Sequence, residues 1–420
     1  MSQSPELAPD GPLPAVAAGR TVRTVDVLII GAGQAGLGTA YWLRRSTNLR
    51  VQVVEEHSVG SSWLRRWDSL RLFTPRRFSG LPGMRFPAGA DFPDRREMAE
   101  YLRAYAERFA LPVETGHPVR RLWKCGDVFH ACTDAVEFRA WHVVVATGAF
   151  SRPHLPTASA SLDAAVFQLH SADYCRPRQV PGGGVVVVGG ANSAAQLAVE
   201  LSRTHEVTMI SPHPPWYLPV RLLGVDLYWW LFLTGMLNAR ASSAISRYVR
   251  RRRDSVIGTD LRREIRAGRV RLVTGRVTGA DGANLVLADS SRVPVDNVLW
   301  CTGYRPNLGW VEIPGALDEE GEPVHSESVG AVAGLHWMGL PWQTRLNSSI
   351  IDGVDRDARA TADRIRGAER KRRPAPLRPL DLLPSLTAPR PTPRNAGSAE
   401  QPSTPPSTPR DKRCPRSHDR

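Results

Sequence analysis

A glycine-rich turn, GAGQAG at residues 31–36, is the first stretch of this chain whose residue types and spacing indicate a chemical role. Gly31 permits a tight bend out of a preceding strand, Gly33 leaves room for a pyrophosphate, and Gly36 lets the following helix lie close to the strand. Unpaired backbone N–H groups at the start of that helix stabilise the negative charge of the pyrophosphate. The turn therefore predicts a dinucleotide site.

The residues around this turn support the same prediction. An apolar run, VDVLII, precedes it, a stretch of helical spacing follows it, and Glu55 ends the next apolar run. A carboxylate at that position binds the ribose hydroxyls of the adenosine half of a dinucleotide. The residues expected at this site are Gly31, Gly33, Gln34, Ala35, Gly36, Glu55 and Glu56.

A second, altered copy of the turn, GGANSA, lies at residues 189–194. Gly189 supplies the bend, Ala191 stands at the second glycine position, and Ala194 stands at the third, where alanine is a common variant. The methyl group of Ala191 narrows the approach of a pyrophosphate, while Ser193 adds a hydroxyl donor. We expect a second dinucleotide here, bound more weakly than the first or in a shifted position.

Ser211 ends the strand that follows the second turn. Because a carboxylate at that position would repel a ribose 2′-phosphate, its absence favours NADP(H) over NAD(H), although NADH stays open. Arg203 and His213 are candidate partners for the phosphate. The residues expected at the second site are Gly189, Ala191, Asn192, Ser193, Ala194 and Ser211.

Strand, glycine turn, helix and strand thus occur twice, so the predicted fold class is α/β with two Rossmann-like domains. Resemblance to a known flavoprotein family implies that the NADP(H) domain is inserted into the FAD domain. Between the two copies we predict a helix over 98–109 and strands over 119–123 and 143–146. After the second copy we predict an arginine-rich helix over 243–266. The predicted parts are a disordered leader (1–23), an FAD-binding domain in two pieces (24–155 and 299–367), an NAD(P)-binding domain (156–298) and a disordered basic tail (368–420).

The net charge of +14 raises the question of a nucleic-acid partner. Residues 366–420 hold 13 Lys or Arg and 5 Asp or Glu, which accounts for +8 of that charge. Twelve prolines between Pro374 and Pro415 exclude a packed helix or a central strand in this tail. No motif that reads bases is present, so we expect no specific nucleic-acid partner.

The longest apolar stretch, residues 222–237, is 16 residues long and includes Asp226. This is short of the roughly 20 residues that a membrane span needs, so we predict a buried or substrate-lining helix and leave a peripheral membrane contact open. Residues 1–23 lack a secretory pattern, and the five cysteines show no CxxC spacing. These features favour a cytoplasmic protein without a metal cluster or a reactive dithiol.

These stretches together resemble class B flavin-dependent monooxygenases, particularly the bacterial and plant branch that includes the auxin-forming YUCCA-type enzymes. The resemblance covers residues 24–366. Besides the two turns, the matching stretches are GSSWLRRWDSLRLFTP (60–75), ATGAFSRPHLP (146–156), HSADY (170–174), CTGYRP (301–306) and GLPWQTR (339–345). Of the family's fingerprint FxGxxxHxxx(Y/F), His170 and Tyr174 are present, whereas Ala164 and Val166 replace the Phe and the Gly.

The resemblance implies FAD on the first turn, NADPH on the second, and O2 and a small organic molecule as co-substrates. Hydride would pass from NADPH to the flavin, the reduced flavin would react with O2 to give a C4a-hydroperoxide, and one oxygen atom would pass to the substrate. The resemblance implies no metal, and we assign no catalytic acid or base. It adds these expected cofactor contacts: Ser62, Trp63, Thr74, Ala146, Thr147, Gly148, Thr302 and Gly303.

Two other functions stay open at this point. A flavin reductase or oxidase would pass electrons from NAD(P)H to another acceptor without oxygenating a substrate, and a nucleotide sensor would use the same fold without turnover. Ala164 and Val166 weaken the assignment of oxygenation, and Ala191 weakens every function that needs tight nicotinamide binding. The identity of the substrate and the oligomeric state do not follow from the sequence.

Overall fold

A computed structural model describes residues 20–251 and 255–372. The elements below belong to the unit Met1–Arg366, except for the last residues of α9, which belong to the second unit. Its first elements are β1 Thr21–Ile30, α1 Gln34–Ser46, β2 Val51–Glu55, α2 Ser61–Leu64, α3 Arg95–Arg108, β3 Val113–Thr115, β4 Arg121–Cys125, β5 Val128–Cys132, β6 Val136–Val145 and β7 Arg152–Pro153.

The middle of the chain contributes most of the remaining elements. They are α4 Ala158–Ser161, β8 Phe167–His170, β9 Gly184–Val188, α5 Asn192–Leu201, β10 Glu206–Ser211, β11 Trp216–Leu218, β12 Arg221–Leu222, β13 Val225–Asp226, α6 Leu227–Leu233, α7 Ala244–Arg251, β14 Ser255–Ile257, α8 Asp260–Arg266, β15 Val270–Thr274, β16 Val277–Asp281, β17 Asn284–Leu287, β18 Arg292–Pro294 and β19 Asn297–Trp300. The last elements are β20 Tyr304–Arg305, β21 His325–Ser326, β22 Val329–Gly330, β23 Leu335–Trp337 and α9 Val354–Arg372.

The first sheet has nine strands and is built from both ends of the described chain. Its main path is β21-β22-β23-β6-β1-β2-β3, and β4 and β5 form an antiparallel extension on β6. Strand β1 lies between β2 and β6 and is parallel to both. Its last six residues are buried, because helices and the antiparallel extension cover both faces of a parallel sheet at this point.

The second sheet lies entirely within the middle of the sequence. Its five strands follow the order β15-β10-β9-β19-β8, and every pairing is parallel. Because β6 and β23 of the first sheet flank this stretch in the sequence, one Rossmann-like domain is inserted into the other. This arrangement confirms the predicted fold class. Strand β19 extends to Trp300, so it crosses the limit that the sequence analysis placed at residue 298.

The predicted ends of the folded chain need correction. Strand β1 begins at Thr21, inside the predicted leader, because Thr21–Arg23 pair with the start of β6 and Arg23 forms a 2.6 Å ion pair with Glu114. Helix α9 continues to Arg372, beyond the predicted start of the tail at 368, and ends shortly before Pro374. The rest of the predicted leader and tail lies outside the described residues.

Two predicted helices are shorter than expected, and each shares its stretch of sequence with strands. The stretch 243–266 holds two short helices, α7 and α8, separated by β14, whose Val256 and Ile257 pair with β11. The stretch 222–237 holds the hairpin β12–β13 and the short helix α6, because Gly224 takes a left-handed conformation (φ +78°) at the tip of the hairpin. Among the described helices, none combines the length and the apolar character that a membrane span requires.

Candidate active site

The first glycine turn connects β1 to α1, and each of its three glycines is needed for a different reason. Gly31 has φ +105°, and a Cβ there would lie 2.7 Å from the carbonyl oxygen of Ala146. A Cβ on Gly36 would lie 1.9 Å from the carbonyl oxygen of Gly31. A Cβ on Gly33, in contrast, would meet no atom within 4 Å. The turn is therefore packed tightly on two sides and open beside Gly33.

The open side of the turn has unused donors and a nearby acid. Helix α1 starts after Gly33 without a side-chain cap on its first N–H groups. Glu55 ends β2, and its carboxylate accepts hydrogen bonds from the backbone N–H groups of Ala32 (2.7 Å) and His57 (3.1 Å). Glu56 is exposed. Uncapped N–H groups, free space and a fixed carboxylate fit the pyrophosphate and ribose of a dinucleotide.

Gln34 and Ala35 form the first turn of α1. Gln34 is half-buried, whereas the side chain of Ala35 is buried in the core. The carbonyl oxygen of Ala35 accepts a hydrogen bond from the Thr39 hydroxyl at 2.8 Å. A ligand at the helix N-terminus can therefore bind the backbone N–H groups of both residues. Gln34 also offers its half-buried side-chain amide.

The second glycine turn connects β9 to α5 in the same way. Gly189 has φ +153°, and a Cβ there would lie 2.4 Å from the carbonyl oxygen of Cys301. Ala191 precedes α5, which again lacks a side-chain cap, and Ala194 is fully buried. The side chain of Asn192 is engaged elsewhere, since it donates to Ser255 O (3.1 Å) and accepts from Ile257 N–H (2.9 Å). The backbone of this turn, rather than its side chains, is available to a second dinucleotide.

The candidate phosphate partners lie at different places in the structure. Ser211 and His213 line the cleft in front of the second turn. Arg203 instead follows the C-terminal end of α5, at the end of the helix away from the glycine turn. A ten-residue helix spans about 15 Å, so Arg203 lies too far from Ser211 to share a phosphate with it. Arg276, which the sequence analysis did not select, lines the cleft together with Ser211 and His213.

The two crossings between the sheets lie side by side. The chain leaves the first sheet after Ala146, Thr147 and Gly148 and returns through Thr302 and Gly303. Beyond them, β7 and β20 pair in an antiparallel ribbon, and His154 N–H donates to Gly303 O at 3.0 Å. Gly148 and Gly303 have φ values of +72° and +85°. The structure therefore brings these predicted residues together where the chain passes between the two sheets.

One large cleft opens in front of the second turn. It has a volume of about 1380 Å³. The predicted residues that line it are Gly189, Ala191, Asn192, Ser193, Ser211, Thr302 and Gly303. Its wall also includes Phe73 and Pro75, which flank Thr74, and aromatic residues such as Phe150 and Trp216. The first turn, Glu55, Glu56, Ser62, Trp63, Thr74, Ala146, Thr147, Gly148 and Ala194 are outside its lining.

The segment 60–75 runs between the first turn and the cleft. Trp63, in α2, packs against the core of the first sheet, and Ser62 is exposed. Thr74 is buried, and its hydroxyl lies 3.3 Å from the hydroxyl of Tyr228. Burial raises the pKa of Tyr228 well above its usual range, so the phenol stays protonated and can donate a hydrogen bond.

A polar cluster at the start of α9 was not found from the sequence. Asn347 is buried, and its amide N–H donates to Asp352 at 3.0 Å, but its Oδ1 has no partner among the described residues. Burial raises the pKa of Asp352, and one of its oxygens is also unpartnered within the described chain. Unpaired buried acceptors of this kind fit the N–H groups of a flavin ring. The only signal in the sequence is the polar run NSS before a helix, which also occurs at ordinary helix starts.

The HSADY stretch lies at the end of β8, beside the second crossing. His170 is buried, its ring packs at 90° against Tyr304 with 5.2 Å between centroids, and burial lowers its pKa. Tyr174 is also buried, and its hydroxyl donates to Glu200 at 3.1 Å. Neither residue lines the cleft. His170 thus holds the end of β8 against the crossing, whereas Tyr174 binds the turn after β8 to α5.

The cysteines and acids of the site do not form a redox or metal centre. Cys301 lines the cleft, but burial raises the pKa of its thiol to about 12. Cys125, Cys132, Cys175 and Cys301 are all free thiols. Within residues 20–251 and 255–372, no group of His, Cys, Asp and Glu is arranged to hold a metal ion.

Two glycine turns, each between a parallel strand and an uncapped helix, are typical of oxidoreductases that bind two dinucleotides. A family model described as pyridine nucleotide-disulphide oxidoreductase matches residues 28–221. The chain is 39% identical to the CzcO-like oxidoreductase of Geobacillus kaustophilus, over 80% of this chain and 96% of that protein. It is 26% identical to the probable indole-3-pyruvate monooxygenase YUCCA9 of Arabidopsis thaliana, over 70% and 79% of the two chains.

Among solved structures, a flavin-containing monooxygenase from Stenotrophomonas maltophilia is 29% identical and superposes with a TM-score of 0.69, covering 82% of this chain and 99% of that one. The protein belongs to the class B flavin-containing monooxygenase family, as the resemblance in its sequence predicted. It is a flavin-dependent oxidoreductase, and its relatives support oxygenation as its general type of reaction. A flavin and a nicotinamide are the cofactors that this family implies.

Proposed function

We propose that the protein is an FAD-dependent monooxygenase that takes hydride from NADPH and transfers one oxygen atom of O2 to a small organic substrate. One observation carries the proposal: the second glycine turn opens into the same cleft as Phe73 and Pro75, the neighbours of Thr74. A nicotinamide on that turn and a flavin beside Thr74 would therefore meet in this cleft.

The residues of the first turn would hold FAD. The N–H groups at the start of α1 would bind its pyrophosphate, Glu55 its adenosine ribose, and the Asn347–Asp352 cluster the polar edge of its ring. Gly189, Ala191 and Ser193 would hold the pyrophosphate of NADPH through the start of α5. When bound, the flavin would accept hydride and activate O2, which the side chains of this chain cannot do. The domain limits given by the sequence, with FAD on 24–155 and 299–367 and nicotinamide on 156–298, are part of the proposal, except that the first domain begins at Thr21 and the second includes β19 as far as Trp300.

The remaining task of the protein is to exclude water and admit an apolar molecule. The cleft wall combines Phe73, Phe150 and Trp216 with aliphatic residues from α6 and its surroundings, namely Leu227, Leu231, Met236 and Leu237. Such a wall favours an apolar substrate and lowers the local dielectric constant around a reactive oxygen species. The buried phenol of Tyr228 also lines the cleft, and it lies 3.3 Å from the hydroxyl of Thr74.

Anaerobic titration tests the proposal. The purified protein should carry close to one FAD per chain, and NADPH should bleach the flavin absorbance under argon, more readily than NADH does. Bleaching followed by reoxidation that releases one H2O2 per NADPH, whatever organic compound is added, would favour a reductase or oxidase. Failure of both nicotinamides to reduce the flavin would contradict the proposal and favour a nucleotide sensor.

A further inference from the structure

The outer edge of the second sheet offers an arginine that the proposed function does not yet use. Strands β10 and β15 are parallel neighbours, and Ser211 pairs with Thr274. The backbone N–H of Gly275 then donates to the carbonyl oxygen of Ser211 at 2.9 Å. The next residue, Arg276, is therefore held beside the end of β10, where the adenosine ribose of a dinucleotide lies in this type of fold.

The charge of Arg276 is not neutralised by the part of the protein that the structure describes. Its side chain is exposed and forms no salt bridge with a described acidic residue. Other arginines near this sheet behave differently: Arg269, for example, is bound to Glu264. None of the described residues that line the cleft is Asp or Glu. Arg276 therefore presents a positive charge to a cleft wall without acidic residues.

The neighbouring polar groups are less able to hold an anion. The Ser211 hydroxyl donates its proton to the carbonyl oxygen of His213 at 2.6 Å, so this donor is already used. A guanidinium can bind a phosphate through two parallel N–H···O hydrogen bonds and keeps its charge at every working pH. Two of the described arginines line the cleft, and one of them, Arg250, stacks over the ring of Trp342 at 4.8 Å. Arg276 is the one that follows the strand paired with the end of β10, next to the ribose position.

We propose that Arg276 binds the 2′-phosphate of NADPH and thereby sets the preference of the enzyme for NADPH over NADH. This inference rests on the proposed function, since it assigns a specificity residue to the second dinucleotide site. Arg276 takes the role for which the sequence analysis had considered Arg203 and His213. It acts on binding, so it changes the affinity for the nucleotide without touching the reacting atoms.

Calorimetric titration of the FAD-loaded full chain with NADP+ and with NAD+ tests this assignment. We expect Arg276→Gln to weaken NADP+ binding about tenfold or more and to leave NAD+ binding within about twofold. Arg276→Lys should restore part of the loss, because it keeps the charge but loses the bidentate geometry. Arg203→Gln is the matched control, an exposed arginine at the far end of α5, and should change neither affinity. When NADPH reduces the flavin under argon, Arg276→Gln should raise the NADPH concentration that gives half the maximal rate of flavin reduction. The maximal rate of reduction should stay unchanged.

The outcomes separate this inference from the proposed function. An equal loss of affinity for NADP+ and NAD+, or no loss for either, would overturn the role of Arg276 and leave oxygenation untouched. A wild-type protein that binds and is reduced only by NADH would also overturn it, while the monooxygenase proposal would stand with a different reductant. A protein that binds neither nucleotide would overturn both.

Discussion

The carboxylate of Glu55 accepts a 2.7 Å hydrogen bond from the backbone N–H of Ala32, inside the first glycine turn. The end of β2 is therefore fixed to the bend between β1 and α1. The second oxygen of this carboxylate accepts from the N–H of His57 at 3.1 Å. These contacts hold the acid at the mouth of the turn before any ligand binds. A carboxylate fixed in this way loses little conformational entropy when it accepts hydrogen bonds from a ribose.

Substitution of Glu55 tests the FAD contact. Glu55→Ala should lower flavin retention by about tenfold, because a charged acceptor of the ribose hydroxyls is lost. Glu55→Gln keeps an acceptor for Ala32 N–H and should lower retention less. Flavin absorbance per protein after gel filtration measures the effect. Glu107→Ala, which removes an exposed acid in α3, is the control. Equal flavin occupancy in all variants would show that the ribose contact is misplaced.

Two glycines of the same turn should respond in opposite ways to one added methyl group. Gly33→Ala places the methyl group in open space, so the apoprotein should lose no more than about 1 kcal/mol of unfolding free energy. Its flavin affinity should nevertheless fall about tenfold, because the methyl group occupies the pyrophosphate position.

Gly36→Ala should instead destabilise the apoprotein by about 2 kcal/mol or more, since its Cβ would lie 1.9 Å from the Gly31 carbonyl oxygen. Chemical unfolding of apoprotein and flavin titration separate the two effects. Normal flavin affinity in a folded Gly33→Ala variant would contradict the assignment of this space to a pyrophosphate.

The thiol of Cys301 should be unreactive toward alkylating reagents in the folded protein. Because burial raises its thiol pKa to about 12, only roughly one molecule in 10,000 carries the thiolate near pH 8. Iodoacetamide should therefore modify the half-buried Cys175 of the native protein well before Cys301, as peptide mass analysis can show. Cys301→Ser should keep most of the nicotinamide-dependent turnover. Loss of turnover in this variant, together with rapid alkylation of Cys301, would point to thiol chemistry in the cleft.

His336 should make stability depend on pH. Burial lowers its pKa to about 3, with a further contribution from His142, whose ring lies 5.8 Å away. In the unfolded chain its pKa is about 6.5, so below that pH only the unfolded state takes up the proton. Its contribution to stability is complete above pH 6.5 and is lost as the pH falls toward 3.

Wild type and His336→Gln should therefore differ in their pH profiles. The unfolding free energy of the wild type, relative to the variant, should be about 1.4 kcal/mol lower near pH 5.5 than near pH 7.5. Urea titrations at the two pH values measure this difference, and the subtraction removes the contributions of all shared titrating groups. Parallel profiles would show that His336 is accessible to protons in the folded state.

The two nucleotide turns could be predicted from the sequence because their requirements are local. Gly31 and Gly189 take positive φ angles at the bend, and a Cβ on Gly36 would meet the carbonyl oxygen of Gly31. Glu55 follows at the end of the next strand. Sequence spacing therefore carried the essential information. The sequence also allows a prediction that β7 and β20 lie together, because both crossings have the same residue pattern.

Contacts between distant parts of the chain could not be predicted in this way. Thr74 meets Tyr228 across 154 residues of sequence, and no periodicity links them. Arg276 was missed because its position depends on the pairing of β15 with β10, whereas Arg203 looked equally basic and lies at the wrong end of α5. The single helix predicted over 243–266 failed because β14 gains tertiary pairing with β11, which outweighs its local helical pattern.

The most direct test of the central claim is the reaction of the reduced enzyme with oxygen. The FAD-loaded protein is reduced by NADPH under argon and mixed with oxygenated buffer in a stopped-flow spectrophotometer. We predict a long-lived absorbance, distinct from that of oxidised and of reduced flavin, that is typical of a flavin–oxygen adduct, and slow release of H2O2. Immediate return to oxidised flavin, with one H2O2 formed per flavin, would contradict oxygenation and identify an oxidase-like enzyme.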